Sequence, residues 1–285
     1  MRFCRFGDNR YGVLDGEDVV DVTSVVTSVI GRGKEVRFGD PFFANLDGIV
    51  EALGQSFGAG PRLPVNEAKL LCPVKAPSKV IAAPVNYREH VREMKESNLP
   101  GANNVLDIGS AGLFLKATSS LVGPSEGIAL RFPERRTDFE VELVVIMGRA
   151  VSDVLRDNAL DYVAGYSLGV DITLRGLEDR SFRKSIDSYS VVGPWFTTAN
   201  EVSDPDNLRI TLHQNGRLKQ DASTSDMVYD VARLIEFASS YYTLYPGDII
   251  FTGTPQGVGP IVAGDTLLAA SPELGEMVVK VRPAG

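Results

Sequence analysis

The sequence predicts a mainly-β protein of the α+β class: a roll of strands with peripheral helices, preceded by a small N-terminal α/β domain. Three observations predict it. Short runs of strand character recur along the chain and outnumber the helical patterns. No Gly-x-Gly-x-x-Gly follows any of these runs, and strands and helices do not alternate, which argues against a doubly wound nucleotide-binding sheet. A Gly- and Pro-rich stretch, Gly54 to Pro64, interrupts the pattern and sets a boundary near residue 70, with a small domain at 1–70 and the main domain at 71–285.

The elements follow in order. Arg2–Phe6, Tyr11–Leu14 and Val19–Val22 are short apolar runs separated by Asp8-Asn9-Arg10 and Asp15-Gly16-Glu17-Asp18, the pattern of an antiparallel meander. Residues 42–54 carry Phe43, Leu46, Ile49, Val50 and Leu53 at helical spacing. Strand signals then fall at 79–83, 128–130, 139–147, 162–171, 190–197, 208–213, 248–252 and 277–282. A short helix is expected over Asp157–Val163. A longer one is expected from a cap at Ser225 or Asp226 through Ser240, with Val228, Val231, Leu234, Ile235 and Ala238 as its apolar stripe.

Composition bounds the function. The chain has 285 residues, 44% hydrophobic and 23% charged, which suits an ordinary globular protein. No apolar run is long enough for a membrane span, and the first residues lack a signal-peptide core. The net charge of −8, with Arg135-Arg136 the nearest thing to a basic cluster, argues against nucleic acid as a partner. Two distant cysteines, Cys4 and Cys72, form no metal motif and suit a reducing cytoplasm. With two histidines in all, His90 and His213, any metal here is held mainly by oxygen.

Glu140 and Glu142 stand two apart in Phe139-Glu140-Val141-Glu142-Leu143, so a strand puts both carboxylates on one face. An isolated Glu-x-Glu is usually a solvated pair. Here Leu143–Met147 continues the run without a break, which suits a strand buried on both faces, where unpaired acids are rarely kept. Like charges side by side on a strand repel, and a hard divalent cation resolves the conflict. Asp171, near the end of the apolar run from Tyr162 to Ile172, can supply a third oxygen.

Other residues suggest chemistry around such a cation. His90 and Glu93 share a helix face in Asn86-Tyr87-Arg88-Glu89-His90-Val91-Arg92-Glu93, the spacing of a dyad in which the carboxylate orients an imidazole that takes a proton from water. The polar stretch Lys95 to Gly109 reads as a mobile lid or as a surface loop. Arg175 and Lys184 follow Asp171, as salt-bridge partners or, for Lys184, as a stabiliser of developing negative charge. Pro246 to Gly259 is a strand leading into a glycine-rich turn whose amides, with the Thr254 hydroxyl, suit a carboxylate better than a nucleotide.

Taken in this order, the pieces resemble the fumarylacetoacetate hydrolase family: Asn86-Tyr87-x-x-His90-x-x-Glu93, Phe114-Leu115-Lys116, the Glu-x-Glu strand, Gly165-Tyr166 with Asp171-x-x-x-Arg175, Lys184-Ser185, Gly193-Pro194-Trp195, Asn215-Gly216 and Thr252-Gly253-Thr254-Pro255. The resemblance covers about residues 70–282. It implies a mixed β-sandwich roll, usually a homodimer. It implies Mg²⁺ or Mn²⁺, with Ca²⁺ as an alternative, held by Glu140, Glu142 and Asp171. His90 and Glu93 match the water-activating dyad of the lid helix, spanning about 88–109, and Lys184 the family lysine. Tyr87, Arg175, Glu178, Gly253 and Thr254 match the substrate end. The chain departs from the common pattern at Val170, where an Asn often stands, at Glu178, where a Gln often stands, and in a shorter segment from Arg175 to Lys184.

The resemblance implies metal-dependent hydrolysis of a carbon–carbon bond in a small 2-oxo acid with a second carbonyl, an acylpyruvate. The segment Asp179-Arg180-Ser181 with Lys184-Ser185 tilts the expectation toward fumaryl- or maleylpyruvate in aromatic catabolism. The alternatives are a decarboxylase or isomerase of oxaloacetate or hydroxymuconate-type acids working through a metal enolate, and a non-catalytic dicarboxylate-binding protein.

Overall fold

A computed structural model describes residues 1–33, 35–96 and 108–284. The expected meander is present as β1 (Arg2–Phe6), β2 (Arg10–Asp15) and β3 (Asp18–Asp21). After it come α1 (Thr23–Arg32), α2 (Pro41–Ala44), α3 (Leu46–Ser56), β4 (Arg62–Pro64) and β5 (Leu70–Leu71). The expected helix at 42–54 is two helices. Asp40 caps the first by accepting the Phe42 amide at 2.9 Å, and Asn45, at φ −115° and ψ 15°, breaks the helical path between them.

β6 (Val80–Ala82) leads into α4 (Arg88–Glu96). Then follow α5 (Ile108–Ala111), β7 (Phe114–Lys116), β8 (Leu121–Val122) and β9 (Ile128–Leu130). Most of the expected lid at 95–109 lies outside the described residues. Three long strands form the spine: β10 (Thr137–Met147), β11 (Val163–Leu174) and β12 (Ser190–Thr198), with the short α6 (Arg180–Arg183) between the last two. The rest is β13 (Arg209–Gln214), β14 (Arg217–Ser223), α7 (Val231–Ser239), β15 (Ile249–Phe251), β16 (Gly259–Pro260), β17 (Thr266–Ser271) and β18 (Gly275–Pro283).

α7 begins five residues beyond the expected cap. Its N-cap is Asp230, which accepts the Arg233 amide at 2.8 Å. Residues 227–229 are held outside the helix instead: Met227 bridges to Tyr87, and Asn86 takes the Val228 amide on its backbone oxygen at 2.7 Å and the Tyr229 amide on its side chain at 2.8 Å.

Among the described residues the strands form a 13-stranded sheet, ordered β4-β3-β2-β1-β12-β11-β10-β15-β6-β7 along its main path, and a 5-stranded sheet, β14-β13-β17-β18-β9. Both are mixed; β15 with β6 and β18 with β9 run parallel, for example. β1 pairs with β12, so the N-terminal meander extends the large sheet.

The two faces of β10 explain where the site lies. Val141, Leu143 and Val145 face the second sheet and share one core with Val170 and Ile172 of β11, Ile210 of β13, Leu267 of β17 and Val279 of β18. On the opposite face, Val144 and Ile146 pack with Phe3, Phe43, Ile49 and Phe251 in a second core. Asp138, Glu140 and Glu142 continue that same face toward the start of β10, beyond the apolar cover. Gly169 of β11 opposes Glu142, and a Cβ there would come within 2.5 Å of Val144 and 2.6 Å of Phe251, so only glycine lets the second core close beside the acids.

Candidate active site

Glu140 stands directly opposite Asp171 in the β10–β11 register. Together with Glu142, two residues along, they offer carboxylate oxygens that all lie within 4.8 Å of one another. All three are buried, at 4%, 2% and 0% exposure respectively. Strand alternation and pairing register place them, so the cluster follows from the β10 and β11 sequences once the two strands are paired.

Cations offset most of this charge. Lys184, just after α6, donates to Glu140 Oε2 and Asp171 Oδ2, each at 2.6 Å. Lys116, at the end of β7, donates to Asp171 Oδ1 and to the Tyr189 carbonyl. Arg175 donates to Asp138 Oδ2 at 2.7 Å and to Glu140 Oε1 at 3.2 Å. Burial alone would raise the Glu140 carboxyl, but Lys184 and then Arg175 hold it well below the usual carboxylate range. Burial lowers the Lys116 ammonium despite Asp171, whereas at Lys184 the opposing pull of Asp171 and Glu140 outweighs burial and raises it.

Glu142 is the exception. Its hydrogen bond comes from the Gly253 amide, at 2.6 Å, and no basic side chain pairs with it among the described residues. Burial, then repulsion from Asp171, push its carboxyl well above the ordinary value. A buried carboxylate without a cation, its oxygens converging with those of two others, is the donor set of a hard divalent ion. The residues fit such a metal.

Beside the acids, His90 and Glu93 lie on one face of α4. Nδ1 of His90 is 2.8 Å from Glu93 Oε2, and the Gly257 amide donates to Glu93 Oε1 at 3.0 Å. Burial opposes ionisation of Glu93, but the hydrogen bonds from His90 and Gly257 prevail and lower its pKa. An ionised Glu93 holds the proton on Nδ1 and leaves Nε2 as the basic nitrogen. His90 is 4% exposed.

The glycine-rich turn after β15 serves this arrangement from its backbone. Gly253 adopts φ +95°, and a Cβ there would meet Asn86 Cβ at 2.7 Å. The Thr254 hydroxyl donates to the Val141 carbonyl at 2.9 Å. Gln220 of β14 reaches across from the second sheet. It accepts the Val141 amide and donates to Thr254 Oγ1, each at 2.9 Å, and donates to the Pro255 carbonyl. Gly253 and Thr254 thus hold the acid-bearing strand. Tyr87 lies within the main core at 1% exposure. Glu178 pairs with Arg135, Oε1 to Nη1 at 2.8 Å, away from the carboxylate cluster.

Three residues of the site went unread in the sequence. Asp138 was signalled by continuing the Glu140, Glu142 alternation one step back. Lys116 stands in the quoted Phe114-Leu115-Lys116 without an assigned role. Gln220 carried no signal, because its contacts join two sheets.

Known proteins resemble the chain over its whole length. A family model described as fumarylacetoacetate (FAA) hydrolase, C-terminal, matches residues 79–282. The chain is 44% identical over 285 residues to maleylpyruvate hydrolase of Aquipseudomonas alcaligenes, covering 99% of each. It is 36% identical over 271 residues to 2,4-didehydro-3-deoxy-L-rhamnonate hydrolase of Sphingomonas sp. (strain SKA58), covering 91% of this chain and 85% of the relative. The crystal structure of maleylpyruvate hydrolase from Sphingobium sp. SYK-6 in complex with manganese (II) ion and pyruvate superposes with a TM-score of 0.84 at 35% identity, covering 100% of both chains. With a family model matching residues 79–282 and a relative 44% identical over 99% of the chain, the chain belongs to the fumarylacetoacetate hydrolase family.

Proposed function

We propose that this protein is a divalent-metal-dependent enzyme that hydrolyses a carbon–carbon bond in an acylpyruvate such as maleylpyruvate, within aromatic catabolism. The observation that carries the reading is the buried convergence of Glu140, Glu142 and Asp171 beside the His90–Glu93 pair, in a chain alike over its whole length to maleylpyruvate hydrolase. The three carboxylates would hold Mn²⁺ or Mg²⁺, or Ca²⁺. Bound there, the ion supplies Lewis-acid polarisation of a 2-oxo acid.

The remaining steps belong to the chain. Glu93 keeps Nε2 of His90 free to take a proton from water, whose oxygen adds to the carbonyl carbon distal to the 2-oxo acid. The bond from that carbon to the methylene breaks, giving the second acid, and His90 returns its proton to the methylene carbon to complete pyruvate. Lys184, two hydrogen bonds deep among the acids, meets the negative charge that develops on the departing three-carbon fragment. Arg175 fixes Glu140, and Gly253 and Thr254 fix the Glu142 segment, so these three support the substrate end through the acid-bearing strand.

Residues 1–70 are read as an accessory N-terminal domain, the assembly as a homodimer and the compartment as the cytoplasm. The free, buried Cys4 and Cys72 suit that compartment, burial pushing both thiols up to about 12. Among the described residues no helix is long and apolar enough to cross a membrane.

The test is protein stripped with EDTA, reloaded with Mn²⁺ or Mg²⁺, and supplied with maleylpyruvate, fumarylpyruvate, acetylpyruvate or oxaloacetate. Metal-dependent pyruvate release from an acylpyruvate with an equal amount of the second acid is expected. Pyruvate from oxaloacetate alone, with carbon dioxide, would make the protein a decarboxylase, and no release from any of them would leave isomerisation or binding.

A further inference from the structure

The corner where α6 meets the end of β11 holds an arginine that the mechanism leaves unused. Arg183 directly precedes Lys184. Its Nη1 donates to the Leu174 carbonyl at 3.2 Å, and its Nε is buried without a hydrogen-bond partner. The cations around the acid cluster are matched to acids: Arg175 to Asp138 and Glu140, Lys184 to Glu140 and Asp171, and Lys116 to Asp171; further out, Arg135 pairs with Glu178 and Arg131 with Asp187. Arg183 has no carboxylate within salt-bridge distance among the described residues. A half-buried guanidinium in this state is costly unless an anion completes it.

Its surroundings suit a small organic acid. Arg183 adjoins Lys184, which bonds Glu140 and Asp171, and it holds the carbonyl of Leu174, three residues beyond Asp171 in sequence, so it lies beside a molecule held at the acid cluster. Arg183 lines a cavity of about 690 Å³ together with Phe132, Leu174, Phe182 and Ile186; of the acids that also line it, Glu178 and Asp187 are paired with Arg135 and Arg131, and Asp179 caps α6 by accepting the Ser181 amide. Phe182, 76% exposed, stands at this cavity, and Leu177, 87% exposed, lies in the same segment between β11 and α6. Four apolar side chains beside a guanidinium that no carboxylate pairs match an unsaturated chain that ends in a carboxylate.

We propose that Arg183 binds the distal carboxylate of the substrate and so selects acylpyruvates that are dicarboxylic over those ending in a methyl group. This rests on the reading of the site as one for 2-oxo acids and adds the group that reads the far end. A guanidinium suits that task because it offers two parallel donors to one carboxylate and keeps its charge at any working pH.

The experiment compares wild type with Arg183→Met and Arg183→Lys, all loaded with Mn²⁺, on maleylpyruvate and acetylpyruvate. Arg183→Met should raise KM for maleylpyruvate at least ten-fold and change that for acetylpyruvate by less than two-fold, with Arg183→Lys in between for maleylpyruvate. Equal losses on both substrates, or none on either, would overturn the proposal and leave Arg183 as a tie between α6 and Leu174. Calorimetry with 2-oxoadipate and 2-oxohexanoate, which differ at the distal end, decides the matter without turnover. A wild-type preference for 2-oxoadipate that vanishes in Arg183→Met supports the proposal even if no acylpyruvate is cleaved, an outcome that would defeat only the hydrolase reading. No preference in wild type would defeat the proposal.

Discussion

Glu140 and Asp171 face each other across β10 and β11, and Lys184 joins them with Nζ 2.6 Å from an oxygen of each. With Lys116 on Asp171 and Arg175 on Glu140, the pair is neutralised within the protein, and the strain of burying three carboxylates falls on Glu142.

Glu142→Gln should therefore separate stability from metal binding. The amide oxygen can still accept from Gly253, and a repelled buried carboxylate is gone, so the metal-free protein should melt no lower than wild type. The rise in melting temperature on adding Mn²⁺ should disappear. Thermal melts of both proteins with EDTA and with Mn²⁺ check this.

His90→Ala should lower kcat by about 10²–10⁴-fold, the range for loss of a positioned general base. It should leave Mn²⁺ affinity within a few-fold of wild type, because the imidazole bonds Glu93 and none of the triad. Turnover near the wild-type rate would remove His90 from the mechanism. Steady-state kinetics and a metal titration measure the two effects.

Glu93 carries a stability signature in acid. Its folded-state pKa lies below its ordinary value of 4.5 because His90 and Gly257 donate to the ionised form. A depressed carboxyl stabilises the fold at pH above its unfolded-state pKa, and the contribution fades as pH falls through the folded-state value. The stability gap between wild type and Glu93→Gln should thus be level at neutral pH and shrink below about pH 4.5. Partial exposure of the side chain keeps it small. Urea unfolding at a series of pH values tests the slope.

Lys116→Met should cost more than a surface substitution. Lys116 is fully buried, and its removal strips Asp171 of one of two cations and the Tyr189 carbonyl of a donor. Breaking a buried pair from one side costs about 3–5 kcal/mol, to be read in the denaturation midpoint.

Gln220→Leu should weaken stability and turnover together. The buried amide serves the Val141 amide, the Thr254 hydroxyl and the Pro255 carbonyl at once. Leaving such groups unpaired costs about 1–3 kcal/mol each, and the turn that anchors Glu93 through Gly257 loses its brace. An unchanged denaturation midpoint would count against this role.

Legibility followed the range of the interaction. Strands such as Val80–Ala82, Thr137–Met147 and Ser190–Thr198 were readable because alternation and apolar runs are local. The break at Asn45 and the late start of α7 were not readable. Asp40 and Asp230 are ordinary caps, but the selection of Asp230 over Ser225 depends on Asn86, 143 residues from Tyr229 in sequence. At the site, Glu140 and Glu142 announced themselves by spacing, whereas Gln220 meets Thr254 only because two sheets pack face to face.

By itself the sequence determined the main strands of the spine, the carboxylates that share a strand face and the His90–Glu93 spacing, since each depends on residues a few positions apart under a fixed period, whereas α1, β14 and β17 went unread. Tertiary structure alone decided that Asp171 faces Glu140, that Lys116, Lys184 and Arg175 neutralise every acid of the cluster except Glu142, and that Arg183 is left without a carboxylate. The physical reason is that charge balance in a buried cluster is set by which distant side chains the fold brings within hydrogen-bond reach, and no local period encodes that.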